Sequence, residues 1–263
     1  MRVCNLSSGS DGNLTYIESQ STKLLVDCGL SCRQVVTRLG MINVKPEDID
    51  AIIVSHEHND HIKGIRVFCK KYRAKIYAHE ENWKVLEKLL DGVETNKFIR
   101  FTSEKFAIND LHVDVVELSH DAVKCCGFTL EENNKKISII TDLGYTNSRI
   151  LEQLRDSRLI YLESNYDKQM LLDNPNYSST LKSRIMSKKG HLSNVDCANA
   201  ICEIAKFAPK KHIMLSHLST KNNTPEVAFN TVSQILSQNG VIIGQDISIG
   251  FTSINPSSIF NLR

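Results

Sequence analysis

Short apolar runs alternate along this chain with stretches of helical spacing, and the alternation predicts a mixed architecture. Residues 2–6, 14–18 and 23–26 read as three strands, separated by small polar turns. Ser31 is placed to cap a helix reaching Leu39, with Gly40 as its stop. Pro46-Glu47-Asp48 predicts a turn before Ala51-Ile52-Ile53-Val54, an apolar run rich in β-branched residues that reads as a buried strand. Ile65, Phe68, Cys69 and Tyr72 give helical spacing to 62–72, and a strand over 75–78 and a helix over 80–90 follow. Residues 98–118 read as β structure with turns at Ser103-Glu104 and Asn109-Asp110, ending in a strand over 111–118. Residues 127–130 and 136–140 form a hairpin across Glu131-Glu132-Asn133-Asn134. A strand over 159–163, a helix over 179–189 and a strand over 212–215 come next. Between the last two, a helix capped by Ser193 or Asn194 runs to about Phe207. Thr224 caps a final helix with Pro225 at its first position, and 247–252 closes a sheet. Repeats, low-complexity tracts and flexible linkers are absent, so residues 1–263 are expected to form a single domain.

Chemistry collects where these strands end. Directly after the run 51–54 comes Ser55-His56-Glu57-His58-Asn59-Asp60-His61, three histidines and two acids in seven residues. On a strand, His56 and His58 would share one face, and the following turn can bring Asp60 and His61 to a second position. Imidazole and carboxylate together suit Zn²⁺, Mn²⁺ or Fe. Asp27, His120, Asp142 and His217 also stand at the ends of expected strands. His79 is expected to be structural or exposed, and His112 solvated.

The arrangement His56-x-His58-x-Asp60-His61 resembles the signature of the metallo-β-lactamase-fold hydrolase superfamily. His120, Asp142 and His217 match its later motifs in order. The resemblance implies an α/β fold, a four-layer αββα sandwich of two mixed β-sheets flanked by helices. It implies two divalent ions, Zn, Mn or Fe. His56, His58 and His120 would hold one, Asp60, His61 and His217 the other, and Asp142 would bridge them. Two ions roughly 3.5–4 Å apart can polarise a substrate and generate hydroxide at neutral pH. Asp27 is implied to brace the metal loop rather than bind metal.

Further phrases narrow the resemblance. They are Ser7-Ser8-Gly9-Ser10-x-Gly12-Asn13, Glu163-Ser164-Asn165, Gly190-His191-Leu192-Ser193-Asn194 and His217-Leu218-Ser219-x-x-Asn222-Asn223-x-Pro225. Together they are similar to the YycJ/WalJ-type (VicX-like) bacterial hydrolases. That branch implies a nuclease cleaving DNA from the 5′ end, associated with mismatch repair. Asp142, in place of Cys, argues against a β-lactamase. About 75 residues separate Asp142 from His217, too few for the inserted domain of the β-CASP nucleases. The flexible arm of tRNA-processing relatives is also not evident.

For a phosphodiester, Asp60 is expected to orient the nucleophile. His191 is the candidate for proton donation or phosphate contact, against a reading as a packing residue at a helix start. Ser8, Ser10, Asn165, Ser193 and Asn194 are the candidate substrate contacts. The turn 7–13 is either a hairpin loop or a phosphate-holding loop. Lys182, Arg184, Lys188 and Lys189 either follow a nucleic-acid backbone or form a solvated helix face. The alternatives are a lactone or thioester hydrolase, an RNA-processing nuclease, and a regulatory binding protein with a vestigial metal site.

Composition changes this picture little. The net charge of +2 argues by itself for neither nucleic acid nor membrane. No apolar run is long enough to span a bilayer, and the start of the chain lacks a signal-peptide core. The eight cysteines include no Cys-x-x-Cys pair, and most lie in apolar segments. They read as reduced thiols of a cytoplasmic protein, and the chain is expected to have no membrane partner. The resemblance, not the composition, implies a nucleic-acid substrate, DNA.

Overall fold

The apolar runs are buried on both faces because each strand has two cores to serve. In the computed structural model, which describes residues 1–102, 104–207 and 210–262, Ala51 and Ile53 face one core while Ile52 and Val54 face another. Leu159 and Tyr161 likewise part from Ile160 and Leu162. Strands covered on both sides need no polar alternation, which is why they appear as continuous apolar stretches.

The first half of the chain comprises β1 (Arg2–Ser7), β2 (Leu14–Glu18), β3 (Lys23–Val26), α1 (Cys32–Met41), β4 (Ala51–Ile53), α2 (Asn59–Ile62), α3 (Ile65–Lys71), β5 (Lys75–His79), α4 (Glu80–Leu89) and β6 (Phe98–Phe101). The second comprises β7 (Lys105–Ile108), β8 (Leu111–Leu118), β9 (Cys125–Glu132), β10 (Lys135–Ile140), α5 (Ser148–Gln153), β11 (Leu159–Glu163), α6 (Lys168–Asp173), α7 (Ser179–Ile185), α8 (Asn194–Ala205), β12 (Lys211–Ser216), α9 (Pro225–Gln238), β13 (Ile247–Phe251) and β14 (Phe260–Asn261).

These strands form two seven-stranded sheets, ordered β14-β1-β2-β3-β4-β5-β6 and β13-β12-β11-β10-β9-β8-β7. Both sheets are antiparallel on one side and parallel on the other. The change falls at β3, which pairs antiparallel with β2 and parallel with β4 (Val26 opposite Ile53), and at β10, which pairs antiparallel with β9 and parallel with β11 (Ile137 opposite Leu159). One core joins the sheets, including Val3, Leu24 and Ile53 from the first and Val113, Phe128 and Tyr161 from the second. A second packs α1, α3 and α4 on the first sheet, and a third packs α5, α8 and α9 on the other. The result is a four-layer αββα sandwich.

Several elements differ from expectation. The helix over 62–72 is two helices. The first starts early at Asn59, and the chain breaks at Gly64, whose N–H bonds Cys28 O at 2.8 Å. Helix α1 continues through Gly40 to Met41 and is closed by Asn43 with φ +57°. The expected helix 179–189 ends at Ile185, so Lys188 and Lys189 lie in the turn beyond it. Helices α5 and α6 and the two-residue β14 were not foreseen. Ser31 and Thr224 do cap their helices, and Ser193 caps α8 by accepting from Asp196 N. His79 caps α4 by accepting from Glu81 N, and His112 is exposed. Of the expected turn at Ser103-Glu104, Ser103 lies outside the described residues.

Candidate metal centre

Ends of β3, β4, β8, β10, β11 and β12 meet at one edge of the sandwich, and each delivers a polar side chain. His56 and His58 follow β4 in a loop, and Asp60 and His61 sit in the short helix α2. This segment is held by backbone contacts: Asn13 N donates to Asp60 O at 2.8 Å and Cys28 N to His61 O at 2.7 Å. A Cβ at Gly29 would lie 1.6 Å from Asp60 O, so only glycine permits that approach. Asp27, Asp142 and His217 have φ of +60°, +65° and +56°. Non-glycine residues hold this conformation at a cost, which clusters at functional sites.

His56, His58 and His120 form one group, and Asp60, His61 and His217 another; within each group the possible ligand atoms lie within 4.8 Å of one another. Asp142 groups with His56 and His61 by the same measure, and separately with Glu163, His191 and His217. The structure therefore brings together all seven side chains expected from the sequence. It adds Glu163, to which the sequence reading gave no role.

Hydrogen bonds orient the imidazoles. His61 Nδ1 lies 2.7 Å from Asp27 Oδ2, His120 Nδ1 3.0 Å from Gly190 O, and His217 Nδ1 2.9 Å from Glu163 Oε1. The Ser55 hydroxyl donates to Asp27 Oδ2 and lies 3.0 Å from His56 Nδ1. With Nδ1 so engaged, Nε2 of His56 and His217 is left as the ligating atom, the usual way a protein fixes a metal-binding histidine. His61 Nε2 faces the same centre, 3.0 Å from Asn13 Nδ2. His56 Nε2, His217 Nε2 and Asp142 Oδ2 are buried without a hydrogen-bond partner. Buried polar atoms seldom stay unpaired, and three in one cluster of imidazole and carboxylate donors fit divalent cations.

The electrostatics agree. Burial, then the neighbouring His61, pushes His56 well below the ordinary imidazole value. Burial opposes charge on Asp142, but His217 and His61 outweigh it and hold the carboxyl well below the usual range. Burial opposes charge on His217 too, yet Asp142 and Glu163 push it up to about 9. Such a centre holds cations, whether protons or metal ions.

His191 lies before α8, and Glu163 orients it. Its Nδ1 is 2.7 Å from Glu163 Oε1 and 3.8 Å from Asp142 Oδ1. Burial works against protonation here, but the Glu163 carboxylate outweighs it and raises His191 above the ordinary value.

A cleft of about 350 Å³ opens over the centre, lined by His58, Asp60, His120, His191 and His217 and walled by Tyr177, Leu181, Arg184 and Ile185. Arg184 pairs with Asp121, which also lies 3.3 Å from His120 Nε2. Ser10 and Asn165 line the cleft, and Asn165 Nδ2 also donates to His217 O at 2.8 Å. The structure turns the other three expected substrate contacts inward, which corrects the sequence reading. Ser8 Oγ accepts from His217 N at 2.9 Å. Ser193 Oγ donates to Asp196 and caps α8, and Asn194 bonds Ser164 and Asn223 in the core. Lys182 Nζ donates to Leu172 O, while Lys188 and Lys189 are exposed.

Comparison with known proteins agrees with this geometry. A family model described as Beta-lactamase superfamily domain matches residues 22–218. The chain is 36% identical over 245 residues to exodeoxyribonuclease YycJ of Bacillus anthracis, covering 93% of this chain and 92% of that protein. It is 38% identical over 251 residues to exodeoxyribonuclease WalJ of Streptococcus pneumoniae, covering 94% and 93%. The crystal structure of the metallo-β-lactamase fold protein YhfI from Bacillus subtilis superposes with a TM-score of 0.74 at 16% identity, covering 98% of each chain.

Proposed function

Because the chain belongs to the β-lactamase superfamily domain family, in its YycJ/WalJ-like branch, we propose that it is a dinuclear 5′-to-3′ exodeoxyribonuclease that serves DNA repair. It is a metal-dependent hydrolase of phosphodiesters. The carrying observation is the convergence of unpaired His56 Nε2, His217 Nε2 and Asp142 Oδ2 beneath an open cleft. The exodeoxyribonuclease names of the two relatives support DNA as the substrate.

Two ions are favoured by charge. With the ligating imidazoles neutral and Glu163 paired with protonated His191, Asp27, Asp60 and Asp142 leave three negative charges at the centre, more than one divalent cation offsets. His56, His58 and His120 would hold one ion, Asp60, His61 and His217 the other, with Asp142 between them. Zn, Mn or Fe suits these donors. Bound there, such ions supply charge neutralisation at the phosphate and activation of water. Asp60 borders the cleft and orients the attacking oxygen. Arg184 faces the same cleft and draws the phosphate in, with Asp121 setting its direction. His191 holds a proton on its imidazole, stabilised by Glu163, and gives it to the departing 3′ or 5′ oxygen.

Residues 1–263 act as a single domain in this reading, since both sheets contribute donors to one centre. All eight cysteines are free and buried, which supports a reducing compartment such as the cytoplasm. No described helix is long and apolar enough to cross a membrane. The test is metal-supplemented turnover of labelled double-stranded DNA, single-stranded DNA and RNA beside a lactone and a thioester. Shortening of DNA from its 5′ end is expected. Hydrolysis of the lactone or thioester with all nucleic acids intact would overturn the reading.

A further inference from the structure

A second cavity, of about 430 Å³, adjoins the catalytic cleft, and His120 lines both. The two differ in chemistry. The catalytic cleft has the partly apolar wall of Tyr177, Leu181 and Ile185. The adjoining one is bordered by Tyr145, Asn147, Lys124, Arg149 and Lys189. Lys124 and Arg149 pair with Glu117 and Glu104, while among the described residues Lys189 and its neighbour Lys188 have no carboxylate partner within ion-pair distance. The groove therefore carries excess positive charge beside a centre that works on an anion.

Tyr145 is 40% exposed at this rim, with Lys188 Nζ 6.0 Å from its ring centroid. Its position is built in. Gly144 N donates to Ser119 O at 3.0 Å, and a Cβ on Gly144 would lie 2.3 Å from the Lys188 carbonyl. The loop carrying Asp142 and Tyr145 thus packs backbone to backbone on the turn carrying Lys188 and Lys189. An exposed ring and two unpaired cations are fixed together next to the metal ligands.

We propose that this groove binds the run-on part of a single nucleic-acid strand whose terminal nucleotide occupies the catalytic cleft. Tyr145 stacks on a base, and Lys188 and Lys189 contact the phosphates that follow. Single-strand grooves combine these two elements, and stacking tolerates any sequence because every base has a π-face. Both cavities are of small-molecule size, which suits separate nucleotides of an unpaired strand and not a duplex. This inference rests on the nuclease reading, so its test is made on binding rather than turnover.

Fluorescently labelled single-stranded DNA of about 20 nucleotides is titrated into the chelator-treated protein, followed by anisotropy, beside a labelled dinucleotide. Tyr145→Ala and Lys189→Glu are each expected to weaken binding of the long strand about tenfold, and the dinucleotide much less. Lys189→Glu also lowers the slope of log affinity against log salt by about one to two. Circular dichroism checks that both variants fold; each changes an exposed side chain. A wild-type protein that does not bind the long strand overturns the groove. So do variants that bind it as well as wild type, or that lose long and short ligands equally. Wild-type binding with this variant pattern, but no cleavage when metal is restored, supports the groove and sinks the nuclease reading instead.

Discussion

Asp27 and Asp142 approach opposite nitrogens of one imidazole: Asp27 Oδ2 lies 2.7 Å from His61 Nδ1, and Asp142 Oδ2 lies 3.3 Å from His61 Nε2. The two aspartates follow the equivalent strands β3 and β10, where each sheet changes from antiparallel to parallel pairing, and both hold a positive φ. Similar backbones thus serve different tasks. Asp27 spends both oxygens on the protein, accepting from Ser55 N, Ser55 Oγ and His61. Asp142 turns Oδ2 into the centre, within ion-pair distance of His61 but without a hydrogen-bond partner.

Their substitutions should therefore part. Asp142→Asn removes a ligand and is expected to abolish turnover and lower metal content, as is His58→Ala, with the fold largely retained. Asp27→Asn removes no ligand and loosens the orientation of His61 and of Ser55, which lies against His56. Metal affinity should fall about 10–100-fold, and excess metal should restore most activity. Metal titration of activity and elemental analysis distinguish the cases. Full activity with unchanged metal in Asp142→Asn would remove the dinuclear assignment.

How much of this was legible depended on whether partners are close in the chain. His56, His58, Asp60 and His61 stand together, so their spacing displays the site directly. Glu163 meets His217 only because β11 and β12 pair in parallel, 54 residues apart. An acid at a strand end was the available signal, but it resembles an ordinary turn residue. Ser8 lies in a phrase that reads as a turn, and Ser193 and Asn194 at a helix start. The capping role of Ser193 was legible, but the packing of Ser8 against His217 and of Asn194 against Ser164 and Asn223 is tertiary. Helices α5 and α6 have six residues each, too short for periodicity to show, although Asn147 and Asp167 cap them in the ordinary way.

Away from the centre, Asp110 fastens the two sheets. It accepts from Thr22 Oγ1 at 2.6 Å, Ser19 Oγ at 2.7 Å and Ser21 N at 3.0 Å, linking the β7–β8 turn to the β2–β3 turn. Burial opposes its charge, but these donors, Thr22 first, hold its carboxyl well below the usual value. A depressed carboxylate stabilises the fold above its unfolded pKa of about 3.9. That stabilisation is lost as pH falls below about 4. Asp110→Ala should cost about 1 kcal/mol at neutral pH and leave kcat unchanged. The difference from wild type should shrink in acid. A constant difference in denaturation midpoints down to about pH 3 would contradict the clamp.

Removing metal should destabilise the protein as well as silence it. The buried carboxylates then keep their charge only by holding protons on their histidine neighbours. The chelated protein is expected to melt several degrees lower, and the loss should reverse on adding Zn²⁺ or Mn²⁺. Activity should also fall steeply below about pH 6, because protons compete with metal for the ligating imidazoles. Calorimetry with and without chelator checks the first, and metal retained with a flat activity profile to about pH 5 would contradict the second.

The last prediction joins Glu163 to His191. The 2.7 Å contact between Glu163 Oε1 and His191 Nδ1 raises His191, leaving its Nε2 to present a proton to the cleft. His191→Ala should keep both metals and slow cleavage of an ordinary phosphodiester about 10²–10⁴-fold. A nitrophenyl phosphodiester should suffer less, because its departing oxygen hardly needs a proton. Glu163→Gln keeps the shape but removes the charge that favours protonated His191. The limb of the pH profile on which activity falls with rising pH should therefore move to lower pH. Because Glu163 also supports His217, metal is kept saturating so that a weaker site is not mistaken for a lost acid. If His191→Ala slows both substrates equally, the imidazole holds phosphate rather than donating a proton. If it slows neither while metal content holds, His191 only packs, and proton transfer must be assigned to another group in the cleft.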